Sequence, residues 1–567
     1  MVRTSLRFCA AYSVFLGAIE LLATQSGLLH VALTPTVAWL FVIASAVLAF
    51  AFDRWLVRHC PLPSRPVFQL GAREEKQRRW WFLAGLAAFA YAVLWIPAWC
   101  RMDMSWDGMS YHIPTIAQWA VKGYIHWLVP PPESGEVWQY DYRAVYNGYP
   151  KGVETMAFVL ARISHDKLLN APNMVFFPLA FGASTLVARE LGAPRAIAAA
   201  IALLFVTVPT NVGQAAATYV DTSFSSAVMC SLALGFVIVR GLLAGRVPPW
   251  PLVVGTGAAM GLALGTKAPG TAYFAMLWMV MAGTALVRFR RRRERSKRLV
   301  ASLATMLVIG FSIGGIWYFR NWYYAGNPLN PIEVRIAGVQ LFKGDDLGEQ
   351  IGERFQTPTH VATWPMPAKI AYTWLQSGQI EWPIDGAHEH DERGYMLPIK
   401  EDADPVWPRS IRGYDPRTGG LGFLWVAACV PSLIFLAIHL GRRFRAARKS
   451  GSKKDRVRAA RTLALGILWM LPIIGLFKLV PMPWWARYTL WLYGLGLPAL
   501  AFAHTVIQQL PNRVVARALQ GAFALLMCVS FFEYGYSAKW SVTRDHFMGP
   551  AHVASLGDLW RGITSTN

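Results

Sequence analysis

The segment Arg101-Met102-Asp103-Met104-Ser105-Trp106-Asp107-Gly108-Met109-Ser110-Tyr111-His112 follows an apolar run and sets two carboxylates four residues apart, beside an aromatic ring and a histidine. A carboxylate in a partly desolvated pocket can take a proton from an attacking hydroxyl or amine, which is the demand of general-base glycosyl transfer. Asp103 and Asp107 read equally as solvated caps of a short helix, with Asp107 at the N-cap. Asp221, in Ala217-Thr218-Tyr219-Val220-Asp221-Thr222-Ser223, lies between two further apolar runs and is open to the same two readings. Acidic groups brought to one face by different short loops are harder to explain as caps than a single one.

The elements that must position these groups are set by composition. Of 567 residues 54% are apolar, 13% aromatic and only 15% charged, and mean hydropathy is +0.33. Apolar runs of membrane-spanning length recur along the chain, so an ordinary soluble protein is excluded. About thirteen spans are expected, near 6–25, 34–53, 80–99, 170–189, 194–211, 219–240, 250–267, 269–287, 299–319, 420–440, 462–481, 486–506 and 514–533. The formal charge of +23 would suit a nucleic-acid binder, but +21 of it sits in three short segments between apolar runs, 54–79, 288–298 and 442–461. Such segments read as cytoplasmic loops under the positive-inside rule, and nucleic acid is not an expected partner. With the N-terminus inside, strict alternation puts all three on the cytoplasmic side. It puts 101–169, 320–418 and a tail from 534 outside, in the same compartment as Asp107 and Asp221.

Arg3 and Arg7 precede an apolar run without a small-residue cleavage site, so a retained first span is expected, not a signal peptide. The six cysteines, Cys9, Cys60, Cys100, Cys230, Cys429 and Cys528, have no CxxC spacing and are expected to pack, not to ligate or cross-link. Within the first outer segment, 111–119 and 153–160 have the pattern of short amphipathic helices lying along the membrane surface. The second outer segment carries Trp364, Trp374, Trp382 and Trp407 and reads as a compact interfacial subdomain. His388-Glu389-His390-Asp391-Glu392 could hold a divalent metal, but an i,i+2 histidine pair faces opposite sides of a helix, and a solvated acidic loop is the preferred reading.

Taken in order, Trp106-Asp107-Gly108-Met109-Ser110-Tyr111, Gly123, Tyr149-Pro150-Lys151, Ala188-Arg189-Glu190-Leu191-Gly192 and Asp221 after Pro209 resemble the GT-C superfamily of polyprenyl-phosphate-dependent glycosyltransferases. Protein O-mannosyltransferases and lipid A aminoarabinose transferases within it share this order. Gly261-Leu262-Ala263-Leu264-Gly265-Thr266-Lys267, Arg320-Asn321 followed by Gly326-Asn327-Pro328, and Arg487-Tyr488 extend the match over roughly 80–506.

The resemblance implies an all-α polytopic membrane enzyme with surface-parallel helices and a large extracytoplasmic loop. Its parts would be two extra N-terminal spans with a basic loop (1–79), a core (80–319), the large loop (320–418), C-terminal spans (419–533) and a tail (534–567). The implied activity is inverting transfer of a sugar from a polyprenyl phosphate to a lipid, protein or glycan acceptor on the outer face of a bacterial inner membrane. Asp107, four residues before Tyr111, takes the place of the base. Many relatives follow it with a second acidic residue where this chain has Gly108, and Asp103 is the candidate substitute. Asp221 is the second-loop carboxylate. The leaving phosphate needs cations, and Lys151, Lys267, Arg320 and Arg487 are the outer-face candidates, each also readable as a snorkelling side chain. Tyr111, His112 and Tyr149 complete the expected substrate-binding set. No resident cofactor is implied with certainty, and a divalent cation stays open. The alternatives are a polysaccharide ligase of related architecture and a lipid-linked glycan transporter, which would be expected to show paired repeats and broken midplane helices.

Overall fold

The structure is a computed structural model that describes residues 2–60, 66–68, 70, 78–100, 103, 107–128, 147–289, 293–336, 338–344, 363–375, 420–450, 452–479 and 485–543. His388–Glu392, Trp382 and Trp407 lie outside the described residues, as does the tail beyond 543.

Helices account for nearly all of the described chain. Three long ones open it: α1 (Val2–Leu28), α2 (Pro35–His59) and α3 (Arg78–Cys100). A π-helical turn (Gly108–His112) leads into α4 (Ile113–Lys122), followed by α5 (Gly152–Ser164), α6 (Pro172–Glu190), α7 (Arg195–Leu203), α8 (Pro209–Gln214) and α9 (Asp221–Leu243). Then come α10 (Trp250–Thr266), α11 (Gly270–Phe289), α12 (Arg293–Gly314) and α13 (Ile316–Ala325). An antiparallel hairpin of β1 (Val334–Ile336) and β2 (Val339–Phe342) precedes α14 (Met366–Leu375). The chain closes with α15 (Val430–Lys449), α16 (Lys453–Leu479), a 3-10 segment (Ala486–Leu492) running into α17 (Tyr493–Ile507), and α18 (Arg513–Thr543).

Ten of these helices are long and apolar enough to cross a membrane. The remaining expected spans fall on α6, on α7 with its 3-10 extension Leu204–Thr207, and on α10, the last two shorter than a full crossing. One boundary moves. The run at 299–319 stops at Gly314, and Ile316 opens the separate helix α13. The Gly314-Gly315 pair is the cause, since adjacent glycines weaken a helix and invite a turn.

Gly314 also has a packing reason. Gly257, Gly261 and Gly265 recur every fourth residue on α10 and face α12, where Gly310 and Gly314 sit at the same spacing. A Cβ on Gly261 would lie 2.9 Å from the Gly310 carbonyl oxygen, and one on Gly314 would strike the backbone of Gly261 and Gly265. Small residues at this spacing let two helices approach closely in lipid, where no hydrophobic force drives them together. The contact fixes the end of α10 and therefore Lys267, its next residue.

The first N-terminal span helps build the interior, while the second is mostly exposed. Leu6, Cys9, Ala10 and Leu16 of α1 are fully buried, and α1 packs against α2, α6 and α10. Helices α4 and α5 form where amphipathic helices are expected, yet every residue from Ile113 to Trp119 is buried, as is nearly all of α5. They do not lie on an open surface because α1 and α2 both pack on α5.

Two ends of the bundle differ in charge. At one, Arg240 near the end of α9 pairs with the Glu190 carboxylate at the end of α6, the Glu190 backbone carbonyl accepts the N–H of Val67, and Arg295 donates to the carbonyl of Gly245. The described parts of the three basic segments adjoin this end. At the other, the start of α9 and the ends of α3 and α10 meet.

Candidate active site

Four chain segments converge at that second end. Asp107 ends the stretch after α3, Asp221 is the first residue of α9, Lys267 follows α10, and Arg487 lies in the 3-10 segment before α17. The spans opening at Asp221 and Ala486 are also the most enclosed of the ten, 83% and 89% buried against 17% for α2. The groups they carry are thus held by the rigid centre of the bundle.

Asp107 occupies an N-cap position and Asp221 does not, and neither carboxylate makes a cap bond. Asp107 precedes the π-helical turn without a side-chain cap bond, and Val220, not Asp221, occupies the N-cap of α9. Arg487 Nη1 donates to Asp107 Oδ2 at 2.9 Å and lies 3.6 Å from Asp221 Oδ2, so one guanidinium spans both carboxylates. Asp221 Oδ1 pairs with Lys267 Nζ, and Gln214 Nε2 donates to Asp221 Oδ2 at 3.1 Å. Rings enclose the cations. Arg487 lies 5.1 Å from the centre of Tyr219, 4.8 Å from that of Trp485 and 4.8 Å from that of Tyr488, while Lys267 is 4.0 Å from Tyr488. Two carboxylates and two cations leave the cluster formally neutral. Its accessible side is that of Asp107 and Lys267, whose side chains are 15% and 24% exposed, against 2% for Asp221 and 6% for Arg487. Among the described residues nothing hydrogen-bonds Asp107 Oδ1, which leaves one oxygen of a partly exposed carboxylate as a spare acceptor.

Asp103 has a different task. Its Oδ2 accepts both the backbone N–H of Thr218, at 2.7 Å, and the Thr218 hydroxyl, at 2.6 Å. With 3% of its surface exposed it ties the end of α3 to the loop before Asp221.

Lys151 is internal and does not snorkel. It is 2% exposed, donates to Glu154 Oε1 at 3.1 Å, and shares that oxygen with His112 Nδ1 at 2.9 Å. Burial alone would raise the Glu154 carboxyl, but Lys151 and His112 together outweigh it and hold it at about 2. Burial lowers the Lys151 ammonium, with Glu154 opposing. This trio meets the carboxylate pair through Tyr111, whose ring is 5.3 Å from Lys151 Nζ and 6.1 Å from Tyr149. Burial pushes the Tyr111 phenol well up, and the Asp107 charge adds to that. Burial raises Tyr149 likewise. Arg320 joins neither group. It stacks over Trp127 and Trp317, with centroid distances of 5.5 and 5.3 Å.

Several positioning residues escaped the sequence reading. Asn173 of α6 donates from Nδ2 to the carbonyls of Gln214, Ala217 and Tyr219, and its Oδ1 accepts the Ser223 N–H and hydroxyl. One buried amide therefore folds the whole loop that carries Tyr219 and Asp221. The available signal was its chemistry: an amide inside an apolar run must find partners there.

Among the described residues no three His, Cys, Asp or Glu side chains converge on one point. Both site carboxylates are already neutralised by Arg487 and Lys267, so the donor set does not fit a divalent cation.

No family model and no curated protein matches this chain. Its structure is similar to the crystal structure of ArnT from Cupriavidus metallidurans bound to undecaprenyl phosphate, with 15% identity and a TM-score of 0.41 over 82% of this chain and 70% of that one.

Proposed function

We propose that the protein transfers a sugar from a polyprenyl phosphate to an acceptor, with inversion, on the extracytoplasmic side of a bacterial inner membrane. The observation that carries the reading is the single guanidinium of Arg487 set between Asp107 and Asp221, which come from loops far apart in sequence. Asp107 takes the proton as the acceptor O–H or N–H attacks the anomeric carbon. The bond from that carbon to the phosphate oxygen breaks, and the electron pair leaves with the polyprenyl phosphate. Arg487 and Lys267 oppose the negative charge that grows on the leaving phosphate. Asp221 orients both cations. Tyr111 and Tyr149 shape the approach to Asp107, and His112 and Lys151 hold Tyr111 through Glu154. Asp103 positions the loop and takes no part in proton transfer.

The side rests on charge: the basic segments belong to the opposite end of the bundle. Cysteines placed at Lys297 and Lys343 on a cysteine-free background test it. External reagent should label 343 and spare 297, and the reverse pattern would move the site to the cytoplasmic face.

The reaction is tested by incubating the reconstituted protein with radiolabelled polyprenyl-phosphate sugars of several kinds and following both the sugar and the released polyprenyl phosphate. Release coupled to transfer, and lost in Asp107→Asn, is expected. Movement of an intact lipid-linked sugar across the bilayer without release would support transport instead.

A further inference from the structure

A cavity of about 970 Å³ opens beside the cluster but shares none of its residues. Its walls are the outer end of α1, the 125–127 strand of loop and α13, with Thr24, His30, His126, Trp127, Trp317 and Arg320 among the side chains. α1 ends at the same end of the bundle as the site, because Glu20, about two turns before its last residue Leu28, packs against Gly152 and Gly265. α13 reaches that end too: the Tyr318 hydroxyl donates to Leu264 and Asn321 Nδ2 to Gly148.

Among the described residues the cavity has one permanent charge, Arg320, and no Asp or Glu. Arg320 makes, among the described residues, no ion pair and no hydrogen bond, only the two ring contacts. Burial works against its charge, and Lys151, a cation close enough to act on it, is already satisfied by Glu154. A guanidinium held between two indoles keeps its five donors in a fixed plane, a geometry that suits phosphate oxygens. Around it stand Phe319, Trp322, Tyr323 and Tyr324, 55%, 58%, 84% and 56% exposed. Aromatic residues so placed at the end of a span belong to the headgroup level of a bilayer.

We propose that this cavity holds the phosphate-bearing headgroup of an anionic membrane lipid, with Arg320 as its anchor and the α13 aromatics flanking its acyl chains. The lipid enters sideways from the outer leaflet and occupies a place apart from the carboxylates. The site needs only that the chain is embedded in a membrane, and it stands whether or not the transfer reaction does.

Photoreactive lipids with the diazirine near the headgroup test this directly, one carrying phosphoglycerol and one phosphocholine, on the full chain in nanodiscs with cross-links mapped by peptide. Mapping separates the cavity from any lipid attracted to the basic end. The phosphoglycerol probe should label 125–127 and 316–324 about tenfold more than the phosphocholine probe, because the choline cation beside the latter's phosphate opposes Arg320. Arg320→Gln should bring the two probes to near parity, and Arg320→Lys should keep part of the preference. Equal labelling in the unaltered protein overturns the proposal, and this comparison stands even where Arg320→Gln does not fold. A preference that survives in a folded Arg320→Gln protein overturns it as well. Loss of labelling to excess inorganic phosphate would make the cavity a small-anion site, and loss to stoichiometric polyprenyl phosphate would make it part of the carrier site. Either result ends the assignment.

Discussion

Replacing Asp107 and Asp103 separately by Asn distinguishes chemistry from scaffolding, because the two carboxylates differ in what they bond. Asp107 gives one oxygen to Arg487 and leaves the other without a partner among the described residues. Asn keeps an acceptor for Arg487, and Arg487 keeps Asp221 at 3.6 Å, so Asp107→Asn should fold and extract normally. It removes the proton acceptor, and turnover should fall by about 100-fold to 10,000-fold, the usual share of general-base catalysis. Asp103 instead accepts two bonds from Thr218 in a buried place. Both bonds end on one oxygen, which an Asn amide can reproduce, but the acceptor loses its charge and an NH2 replaces the other carboxylate oxygen in a buried place, a cost of about 1–3 kcal/mol. In a protein of marginal stability that loss should appear as lower yield and a lower unfolding midpoint, with turnover per folded molecule reduced much less. Thermal unfolding in detergent, with turnover normalised to folded protein, reads both effects. A stable Asp103→Asn protein without activity beside an active Asp107→Asn protein would overturn the assignment, and two fully active variants would remove general-base catalysis altogether.

Arg487→Ala leaves Asp107 and Asp221 facing one another without their shared cation, and breaking a buried pair this way costs about 3–5 kcal/mol; Arg487→Lys should retain more stability but less than about a tenth of the activity, since Lys loses the planar guanidinium that lies against Tyr219, Trp485 and Tyr488 and its bidentate grip on phosphate, and equal activity of Lys and Arg at 487 would refute the role of the guanidinium. Glu154→Gln should destabilise strongly by leaving Lys151 buried without a counter-charge, whereas Glu154→Gln with Lys151→Met should recover most of the unfolding midpoint; no recovery would mean that Lys151 is needed for more than pairing. Glu154 is held at about 2 in the folded protein, below its ordinary value near 4.3, so its contribution to stability is present above that ordinary value and is lost as pH falls toward 2. The acid limb of stability measured between about pH 4.5 and 2 should therefore flatten in the Glu154→Gln, Lys151→Met double variant. Gly314→Val should disrupt the contact of α10 with α12 and shift Lys267, lowering both the unfolding midpoint and donor use, while Gly283→Val, where a Cβ meets nothing within 4 Å, should be silent.

Much of this arrangement was legible because it is written in lengths and charges. The expected spans match helices, and the three basic segments adjoin the end away from Asp107 and Asp221. The sequence reading also placed Asp107, Asp221, Lys267 and Arg487 on one face, and the structure brings these four within one network of ion pairs. It left open what each neighbour would do. Lys151 was expected to meet a phosphate and is instead internal, because nothing in its spacing reveals that Glu154, one helical turn on, and His112 share one oxygen around it. Asp103 and Asp107 were alike as residues four apart. Only the partner of each, Thr218 for one and Arg487 for the other, tells them apart, and both partners lie more than a hundred residues away. Asn173 was illegible for the same reason: its five bonds all reach residues 214–223, a contact of helix and loop that periodicity does not encode.

The neutrality of the carboxylate cluster bears on how a charged donor would be received. An empty site made only of cations would be costly to hold in a poorly solvated bundle end, and one made only of carboxylates would repel a phosphate. Two carboxylates with two cations avoid both costs, but they also leave Arg487 occupied until a stronger or additional acceptor arrives. Under the proposed reaction, a phosphate at the open side of Lys267 would draw Arg487 and Lys267 toward itself, and the exchange weakens the hold on Asp107 Oδ2 as the donor settles. The carboxylate that must accept the proton is thereby released by the ligand whose departure needs the cations. Donor binding should therefore precede productive acceptor binding, so that raising donor concentration lowers the apparent KM for acceptor. An acceptor KM independent of donor would separate the two carboxylates' roles from Arg487 and leave the guanidinium a structural tie.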